Sequence, residues 1–384
     1  MQAEKYLSNN QAFDRKIRSK YLLFVPGLYA LFLFSIIIIT FVGYGIVYVF
    51  ETFIPPTIAI FLIGACIGVG CGVLFGFYSV LAGLIRSIFP RPQFEVAVAI
   101  NENEEPEIYR VVRDICSQMG TQMPNHIILN ARSRFYVTDA SLCLPNGTIK
   151  GKILSLSLPM LDFLKLNELY SIISHEIAHF TGWDTDFSKK VSPVYNGSLT
   201  TLKHLFHGTV SNRSDLAPFM LLPSLIPMFI LRSYLKWFHE VMLVVSRARE
   251  YRADTLAAQT CGTRSYTSAL EKMHSINVVF EKVSMHHLTG AYKEGRGIIN
   301  YYEVFRQSYD NLQGEIAQEL QYSLNSKSSR DDTHPTLGER LSHLPNDVDN
   351  KVSISNDLAS TLLIHSGKYE RFLSDELSYY LNKS

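Results

Sequence analysis

The sequence has few cysteines, and none of them are paired at a spacing that builds a cross-linked fold. There are five in 384 residues, and no two form a CxxC pair. An odd and scattered set excludes the disulfide framework of small secreted domains and a zinc finger with thiolate ligands. The five are Cys66, Cys71, Cys116, Cys143 and Cys261.

Charge is also scarce in this sequence. Charged residues make up 18% of the chain, below the usual share of about a quarter, and the formal net charge is +1. A nearly neutral chain gives no electrostatic reason to expect nucleic acid as a partner. The mean hydropathy of +0.07 argues against extensive disorder and points to membrane segments.

Two long apolar runs lie near the N-terminus. Residues 22–50 and residues 54–85 contain no charged side chain. Each run exceeds the roughly 20 residues that a helix needs to cross the ~30 Å hydrocarbon core. Pro55 and Pro56 break the chain between them, so residues 22–86 are predicted to form a transmembrane hairpin. A signal peptide fits poorly, because the first run is too long and a second follows it.

The positive residues beside the two runs predict their orientation. Residues 1–21 form a basic segment, Arg86 and Arg91 follow the second run, and the connecting loop carries only Glu51. By the positive-inside rule both outer flanks are cytoplasmic. We therefore expect an integral membrane protein whose later domain faces the cytoplasm, at the inner membrane in a bacterium.

Four glycines follow one another at four-residue spacing along the second run. This spacing makes a smooth groove on one helix face, against which another backbone can pack closely. The groove is predicted to contact either the first span or a second copy of the chain. The four are Gly64, Gly68, Gly72 and Gly76.

The remaining residues show the pattern of a soluble α+β domain over 94–345, followed by a C-terminal helical segment over 346–384. Short alternating strands come first and helices dominate beyond Asn167. A hairpin turn is predicted at Asn146-Gly147. The predicted early elements are a strand at 94–100, a helix at 106–119, and strands at 126–129, 135–144 and 152–158.

The residues suited to chemistry lie at His175-Glu176-Ile177-Ala178-His179. Asn167 is a predicted cap of the helix that carries them. On this helix the two histidines are one turn apart, so both imidazoles can bind one zinc ion. Glu176 lies about 100° around the helix from His175 and can reach a water molecule on that metal. Zinc lowers the pKa of such a water to about 7, so a carboxylate can remove its proton.

A third protein ligand is needed, and the spacing alone leaves two candidates. A metzincin-like extension would require His or Asp at position 185, where the chain has Thr185, with Asp184 and Asp186 one step away. The other candidate is Glu250, on a later helical stretch with Asp254 one turn beyond it. A carboxylate one turn from a ligand carboxylate can orient a ligand imidazole.

These motifs in their order resemble the HtpX-like and CAAX prenyl endopeptidase family of gluzincin metallopeptidases. The resemblance rests on His-Glu-x-x-His, on Arg249-Glu250-Tyr251 with Ala253-Asp254, and on Thr333-His334-Pro335 with Arg340. It covers about residues 95–344. It implies a mainly helical, zincin-like catalytic domain with a small β-sheet.

The resemblance also implies a role for each matched residue. One zinc ion per chain would be bound by His175, His179 and Glu250, with Glu176 as the general base. Asp254 would contact one of the zinc ligands without binding the metal itself. His334 and Arg340 would contact the bound peptide or the tetrahedral intermediate. An extended substrate would add to the strand at 153–158.

Residues 216–245 are apolar but interrupted. If His179 and Glu250 bind one metal, the chain between them crosses the membrane an even number of times. Two crossings would need roughly 40 mostly apolar residues, which this segment lacks, so no crossing is predicted. The segment is then an interfacial or re-entrant helix, or a buried core helix.

The sequence therefore predicts a membrane-anchored zinc endopeptidase that hydrolyses peptide bonds by attack of a zinc-bound water activated by Glu176. Its partners are a protein or peptide substrate and the lipid bilayer, in membrane-protein turnover or processing. The alternative is a non-catalytic membrane scaffold whose zinc site holds helices together. An extracellular metzincin-type protease would conflict with the predicted cytoplasmic orientation.

Overall fold

The structure is a computed structural model that describes most of the chain beyond residue 91. It describes residues 92–181, 217–293, 300–328, 334–346 and 355–381, together with residues 332 and 348 and scattered positions within 26–52 and 195–203. The chain divides into two compact units. The first contains residues 1–90 and 187–245, and the second contains residues 91–186 and 246–384.

The second unit contains a five-stranded mixed sheet. The spatial order is β1-β4-β5-β3-β2, with antiparallel pairing of β4 with β5 and of β2 with β3, and parallel pairing of β3 with β5 and of β1 with β4. The strands are β1 (Gln93–Phe94), β2 (Ala97–Ile100), β3 (His126–Asn130), β4 (Tyr136–Leu144) and β5 (Gly147–Ser157).

Helices make up most of the rest of the described chain, which confirms the predicted mainly helical α+β class. The helices are α1 (Pro106–Gln118), α2 (Leu166–Ala178), α3 (Ala217–Cys261), α4 (Thr263–Lys293), α5 (Tyr301–Ser308), α6 (Gln313–Asn325), α7 (Leu337–Ser342) and α8 (Ser366–Leu381).

The hairpin between β4 and β5 turns one residue earlier than its sequence suggested. Leu144 pairs with Gly147, so the two loop residues are Pro145 and Asn146 rather than Asn146 and Gly147. Gly147 opens β5 at a φ of +139°, a conformation that L side chains rarely adopt. The glycine is therefore needed as the first strand residue after the turn.

The predicted docking stretch of β5 lies inside the sheet. Residues 153–157 pair with β3, and residues 147–155 pair with β4 on the other side. Residues 153–155 are thus paired on both sides, and residues 156 and 157 are paired on the β3 side. The prediction that an extended peptide adds to residues 153–158 is wrong, because the sequence pattern does not reveal which strands lie at an edge.

One face of the sheet packs against the helices and forms the main core. Residues of this core come from β3 and β5 and from α1, α2 and α4, and many of them are fully buried. Representative members are Ile127, Leu156, Ile115, Ile173 and Tyr266. Because α2 lies inside this core, its backbone is fixed by packing on both of its neighbouring helices.

The first helix is preceded by a carboxylate that ties the C-terminal segment to the domain. Glu105 is fully buried and accepts hydrogen bonds from the backbone N–H groups of Ile364 (2.6 Å) and His365 (3.0 Å). These donors lie just before α8, where N–H groups have no partner within the helix. The carboxylate therefore supplies partners that the start of α8 needs.

The predicted transmembrane hairpin at 22–86 and its four glycines lie almost entirely outside the described residues. In the part of the chain that the structure describes, no helix combines enough length and apolar character to span a bilayer.

From Ala217 onward the interrupted apolar segment predicted at 216–245 belongs to one continuous helix, since α3 runs from Ala217 to Cys261. Over residues 229–240, buried side chains recur every three or four residues, and exposed side chains lie between them. Leu231, Leu235 and Phe238 are buried, whereas Phe229 and Trp237 are exposed. Over residues 229–240 the helix thus has one covered apolar face, and it also carries apolar side chains that are exposed.

Candidate metal centre

The helix that carries the two histidines begins one residue before its predicted cap. Asn167 is inside α2, and Lys165 occupies the N-cap position. The reason is Glu168, whose carboxylate reaches back to the backbone N–H of Lys165 (2.7 Å). This is one half of a capping box, in which the side chain of the third helical residue accepts a hydrogen bond from the backbone N–H of the N-cap residue.

Glu168 also anchors α2 to α4. Its side chain is almost fully buried and accepts hydrogen bonds from Ser268 Oγ (2.6 Å) and Lys272 Nζ (2.8 Å). On the other side of α2, Tyr170 donates to Asp114 of α1 (2.6 Å). The histidine-bearing helix is therefore held by polar contacts to both neighbours, in addition to its apolar packing.

The two histidines point their Nε2 atoms at one position. His175 comes from the last turn of α2 and His179 from its C-cap, and their Nε2 atoms are 3.3 Å apart. The ring planes are nearly perpendicular, at 89°. This is the arrangement predicted from four-residue spacing, and it leaves two imidazole lone pairs available to one ion.

The end of α2 is secured by an arginine from α3. Arg252 donates from Nη2 to the carbonyl oxygens of Thr181 (2.9 Å) and Ala178 (3.4 Å). Carbonyl groups in the last turn of a helix have no partner within it, and a cation there also complements the helix dipole. The contact fixes the helix end that presents His179.

Glu250 of α3 completes the group. Its carboxylate oxygens lie 3.5 Å from His175 Nε2 and 3.8 Å from His179 Nε2. The candidate ligand atoms of these three residues all lie within 4.8 Å of one another. Within the described residues, this is the group of His, Cys, Asp and Glu side chains that could hold a metal ion.

The donor set fits a divalent metal of the zinc type. Two imidazoles and one carboxylate are the ligands of a common class of catalytic zinc sites, which keep the fourth position for water or substrate. Glu250 is buried, and burial alone disfavours its charge. Hydrogen bonds from His175 and His334 nevertheless hold the pKa of Glu250 well below its usual value, so it is an anion ready to bind a cation.

Behind His175 lies a fully buried polar network formed by Asp254, Tyr266 and Arg340. His175 Nδ1 is 3.0 Å from Asp254 Oδ1 and 2.8 Å from the Tyr266 hydroxyl. Arg340 donates from Nε and Nη2 to the two oxygens of Asp254, at 3.0 and 2.6 Å. A forked contact of this kind fixes the carboxylate in one orientation.

The network sets the ionisation of its members. Burial disfavours the charged form of Asp254, but hydrogen bonds with His175 and Arg340 outweigh it and lower the pKa of Asp254 to about 2. Burial likewise lowers the pKa of His175, but hydrogen bonds with Asp254 and Glu250 raise it overall to about 9 in the metal-free protein. A bound metal would displace that proton, because a ligand imidazole must be neutral at its donor atom.

A glycine between two helices brings Tyr266 to the network. Gly262 separates α3 from α4 and has a φ of +90°. Its N–H donates to the carbonyl of Ala258 (2.8 Å), which ends α3. Because the chain reverses at this residue, the first turn of α4 places the Tyr266 hydroxyl 2.5 Å from Asp254 Oδ1.

Arg340 is placed by the short helix α7. Thr336 caps this helix in a reciprocal capping box with Glu339. Gly338 lies directly against the carbonyl of Leu324 at the end of α6, where a Cβ atom would collide with that oxygen. This close approach lets the arginine enter the buried network, where its side chain is only 10% exposed.

His334 lies at the open side of the site. Its Nδ1 is 3.2 Å from Glu250 Oε1, and its side chain is 67% exposed. The hydrogen bond with Glu250 raises the pKa of His334 above its ordinary value. Glu176 also keeps partial contact with solvent, while its neighbours His175 and Ile177 are buried.

Among the residues singled out from the sequence, the structure therefore brings together His175, His179, Glu250, Asp254, His334 and Arg340. The alternative ligands Asp184 and Asp186 lie outside the described residues. Tyr266 had no sequence signal of its own. The one available hint was its place shortly after the turn-forming Gly262, on the helix that follows Glu250 and Asp254.

Comparison with known proteins now assigns the chain to a family. Residues 102–348 match the model of Peptidase family M48, which is well over half of the chain. The chain belongs to peptidase family M48. This membership confirms the resemblance stated from the motifs.

Among solved structures, the M48 chain is similar to the crystal structure of Ste24p from S. mikatae. The two share 15% identity, with a TM-score of 0.32. The match covers 80% of this chain and 64% of that chain, so this protein spans less than two thirds of the length of Ste24p.

Proposed function

We propose that this M48 protein is a zinc-dependent endopeptidase with one zinc ion per chain. The observation that carries the proposal is the convergence of His175, His179 and Glu250 on one position next to Glu176. Three protein ligands leave one position for the reaction, which is the mark of a catalytic rather than a structural zinc site.

The zinc ion would be bound by the Nε2 atoms of the two histidines and by the Glu250 carboxylate. When bound there, it supplies a Lewis acid that lowers the pKa of a water molecule and polarises the carbonyl of the scissile bond. The buried anion Asp254 increases the electron density on His175 and orients its ring.

Glu176 would act as the general base and then as the general acid. It follows His175 directly on α2 and is partly exposed, so its carboxylate can meet both the attacking water and the substrate. It would take a proton from that water as the water attacks the peptide carbonyl. It would return the proton to the leaving amine, which lets the C–N bond break.

His334 and Arg340 differ in their surroundings, and we propose different roles for them. His334 is exposed beside Glu250 and can donate a hydrogen bond to the oxyanion that forms on the substrate carbonyl. Arg340 is buried, its side chain is directed at Asp254, and it lies 3.9 Å from Glu250. We propose that Arg340 acts through Asp254 rather than by touching the substrate.

The substrate would bind along the outer edge of β4. Strand β1 pairs with β4 at Leu142 and Cys143, while residues 136–141 have no paired strand on that side within the described chain. An extended peptide can add to such an edge through backbone hydrogen bonds. Helix α2 packs against β4, which places this edge strand beside the helix of the metal site.

Removal of the metal is expected to abolish peptidase activity reversibly. Casein cleavage by purified protein should stop in 1,10-phenanthroline and return when zinc is added back. The thermal unfolding midpoint should fall when the metal is removed and recover when zinc is added back, because an ion that binds only the folded state stabilises that state. The isomer 1,7-phenanthroline cannot chelate and is the matched control. Cleavage that persists in the chelator would contradict a metal-dependent mechanism.

We also propose that the hairpin at 22–86 anchors the enzyme in a membrane, with its catalytic domain in the cytoplasm and membrane proteins as its substrates. Support comes from the two uncharged apolar runs and the basic residues flanking them. A green fluorescent protein fused after Ser384 should fluoresce in the membrane fraction, and alkaline phosphatase at the same position should be inactive. The reverse pattern would refute the orientation, and a fusion recovered in the soluble fraction would refute the anchor.

A non-catalytic zinc scaffold is the competing function. It would need a closed site with four protein ligands. The described residues provide three, and Glu176 has no part in such a site. Metal-dependent cleavage of casein by the purified protein would decide for the enzyme.

A further inference from the structure

We propose that Tyr266 is a positioning residue that fixes the hydrogen of His175 on Nδ1 and thereby presents the Nε2 lone pair to the metal. The inference rests on the proposed zinc site. It follows from counting the donors and acceptors around the Tyr266 hydroxyl.

The first step concerns the hydrogen of the tyrosine. The Tyr266 oxygen lies 2.5 Å from Asp254 Oδ1, a distance typical of a short hydrogen bond to a carboxylate. The ionised aspartate can only accept, so the single hydroxyl hydrogen points to Asp254. The hydroxyl then has only lone pairs to offer its other neighbours.

The second step concerns those neighbours. Arg340 Nη2 lies 3.0 Å from the Tyr266 oxygen and, as part of a guanidinium group, can only donate. The remaining neighbour is His175 Nδ1 at 2.8 Å. Because the tyrosine's hydrogen is used on Asp254, this contact is a hydrogen bond only if His175 is the donor.

The third step concerns His175 itself. Its Nδ1 faces two acceptors, the Tyr266 oxygen and Asp254 Oδ1, and a bare lone pair there would be repelled by both. A neutral imidazole carries one hydrogen, so a hydrogen on Nδ1 leaves Nε2 as the free donor atom. Nε2 is the atom that faces His179 and Glu250.

Burial stabilises this set of hydrogen bonds around the Tyr266 hydroxyl. Tyr266 is fully buried and Asp254 is 1% exposed, so no solvent can substitute for a missing partner. Unmade hydrogen bonds are costly in such surroundings. Asp254 Oδ1 already accepts hydrogen bonds from Tyr266 and Arg340, so the Tyr266 oxygen gives the hydrogen of His175 a second acceptor.

The test is the zinc affinity of Tyr266→Phe, measured as the dissociation constant for Zn²⁺ in competition with a chromophoric chelator. We expect the zinc affinity to weaken by roughly 10- to 100-fold, the usual loss when the hydrogen-bond partner of a metal ligand is removed. The substitution leaves the three proposed zinc ligands and Glu176 in place. Saturating zinc should therefore restore most of the casein cleavage. The affinity is compared only when the zinc-free variant is folded by circular dichroism, because zinc binds the folded state and partial unfolding would itself weaken the apparent affinity.

Tyr170→Phe is the matched control. Tyr170 is a buried tyrosine on the same helix as His175, and its hydroxyl also donates to an aspartate, Asp114, at 2.6 Å. It touches none of the proposed ligands, so its loss should lower the thermal unfolding midpoint while leaving zinc affinity unchanged.

Should Tyr266→Phe fail to fold by circular dichroism, the wild-type protein supplies a second measurement. The ¹⁵N chemical shifts of the His175 ring in the zinc-loaded protein should show the hydrogen on Nδ1 and the metal on Nε2. Wild-type affinity in folded Tyr266→Phe, an equal loss in Tyr170→Phe, or metal bound through Nδ1 of His175 would overturn the inference. Wild-type protein that binds no zinc would overturn the proposed function and this inference together.

Discussion

Glu176→Gln is expected to lose nearly all peptidase activity while binding zinc as wild type does. Glutamine has the same shape but cannot accept a proton from the attacking water. Proton transfer by a positioned side chain contributes roughly 10²- to 10⁴-fold to a rate, so casein cleavage should fall by about that factor. Zinc content, measured by metal analysis of protein purified in detergent, should stay at one ion per chain.

The control for Glu176 is a carboxylate of the same domain outside the site. Glu107 lies on the surface of α1, where it is paired with Arg110 at 2.7 Å. Glu107→Gln should cleave casein at the wild-type rate. Cleavage at that rate by zinc-loaded Glu176→Gln would remove Glu176 from the mechanism.

Glu250→Ala is expected to lose the metal itself. The substitution removes one of three ligands and leaves His175 and His179 without the anion that neutralises the cation. Zinc affinity should fall by more than the roughly 10- to 100-fold seen when a partner behind a ligand is lost. Cleavage should disappear at ordinary zinc concentrations, because the two histidines alone do not retain the ion.

Glu240 provides the comparison for Glu250. It lies on the same helix, α3, and its side chain is exposed. Glu240→Ala should keep both zinc and activity. If Glu250→Ala retained stoichiometric zinc, the third ligand would have to come from elsewhere, and Asp184 or Asp186 would become the candidates.

The two variants fail in different ways, which separates the parts of the site. One keeps the ion and loses the proton transfer, and the other loses the ion. Tyr266→Phe adds a third pattern, in which affinity falls and excess zinc compensates. Together the three distinguish chemistry, ligation and ligand orientation.

Local features of the fold were accessible from the sequence because they depend on near neighbours in the chain. Helix α1 begins at Pro106 as predicted, since proline favours the first turn of a helix. The hairpin of β4 and β5 was also expected, with its turn displaced by one residue. Its position depends on strand register, which pairing across the whole hairpin sets.

The order of the strands in the sheet could not be predicted from the sequence in the same way. The run at 153–158 looks equally suitable as an edge or a central strand, and only the pairing of β5 with both β3 and β4 excludes it as a docking edge. The start of α2 shows the same limit. Asn167 is a good cap by residue type, but the carboxylate of Glu168 at Lys165 moves the boundary.

The pair of imidazoles was predictable from the sequence, because four-residue spacing on a helix forces His175 and His179 onto one side. Motif order then suggested Glu250 through resemblance. The environment of His175 required the packed structure, because Tyr266 and Arg340 come from later helices and converge on Asp254. Helix packing sets such distances, and no periodicity in the sequence encodes them.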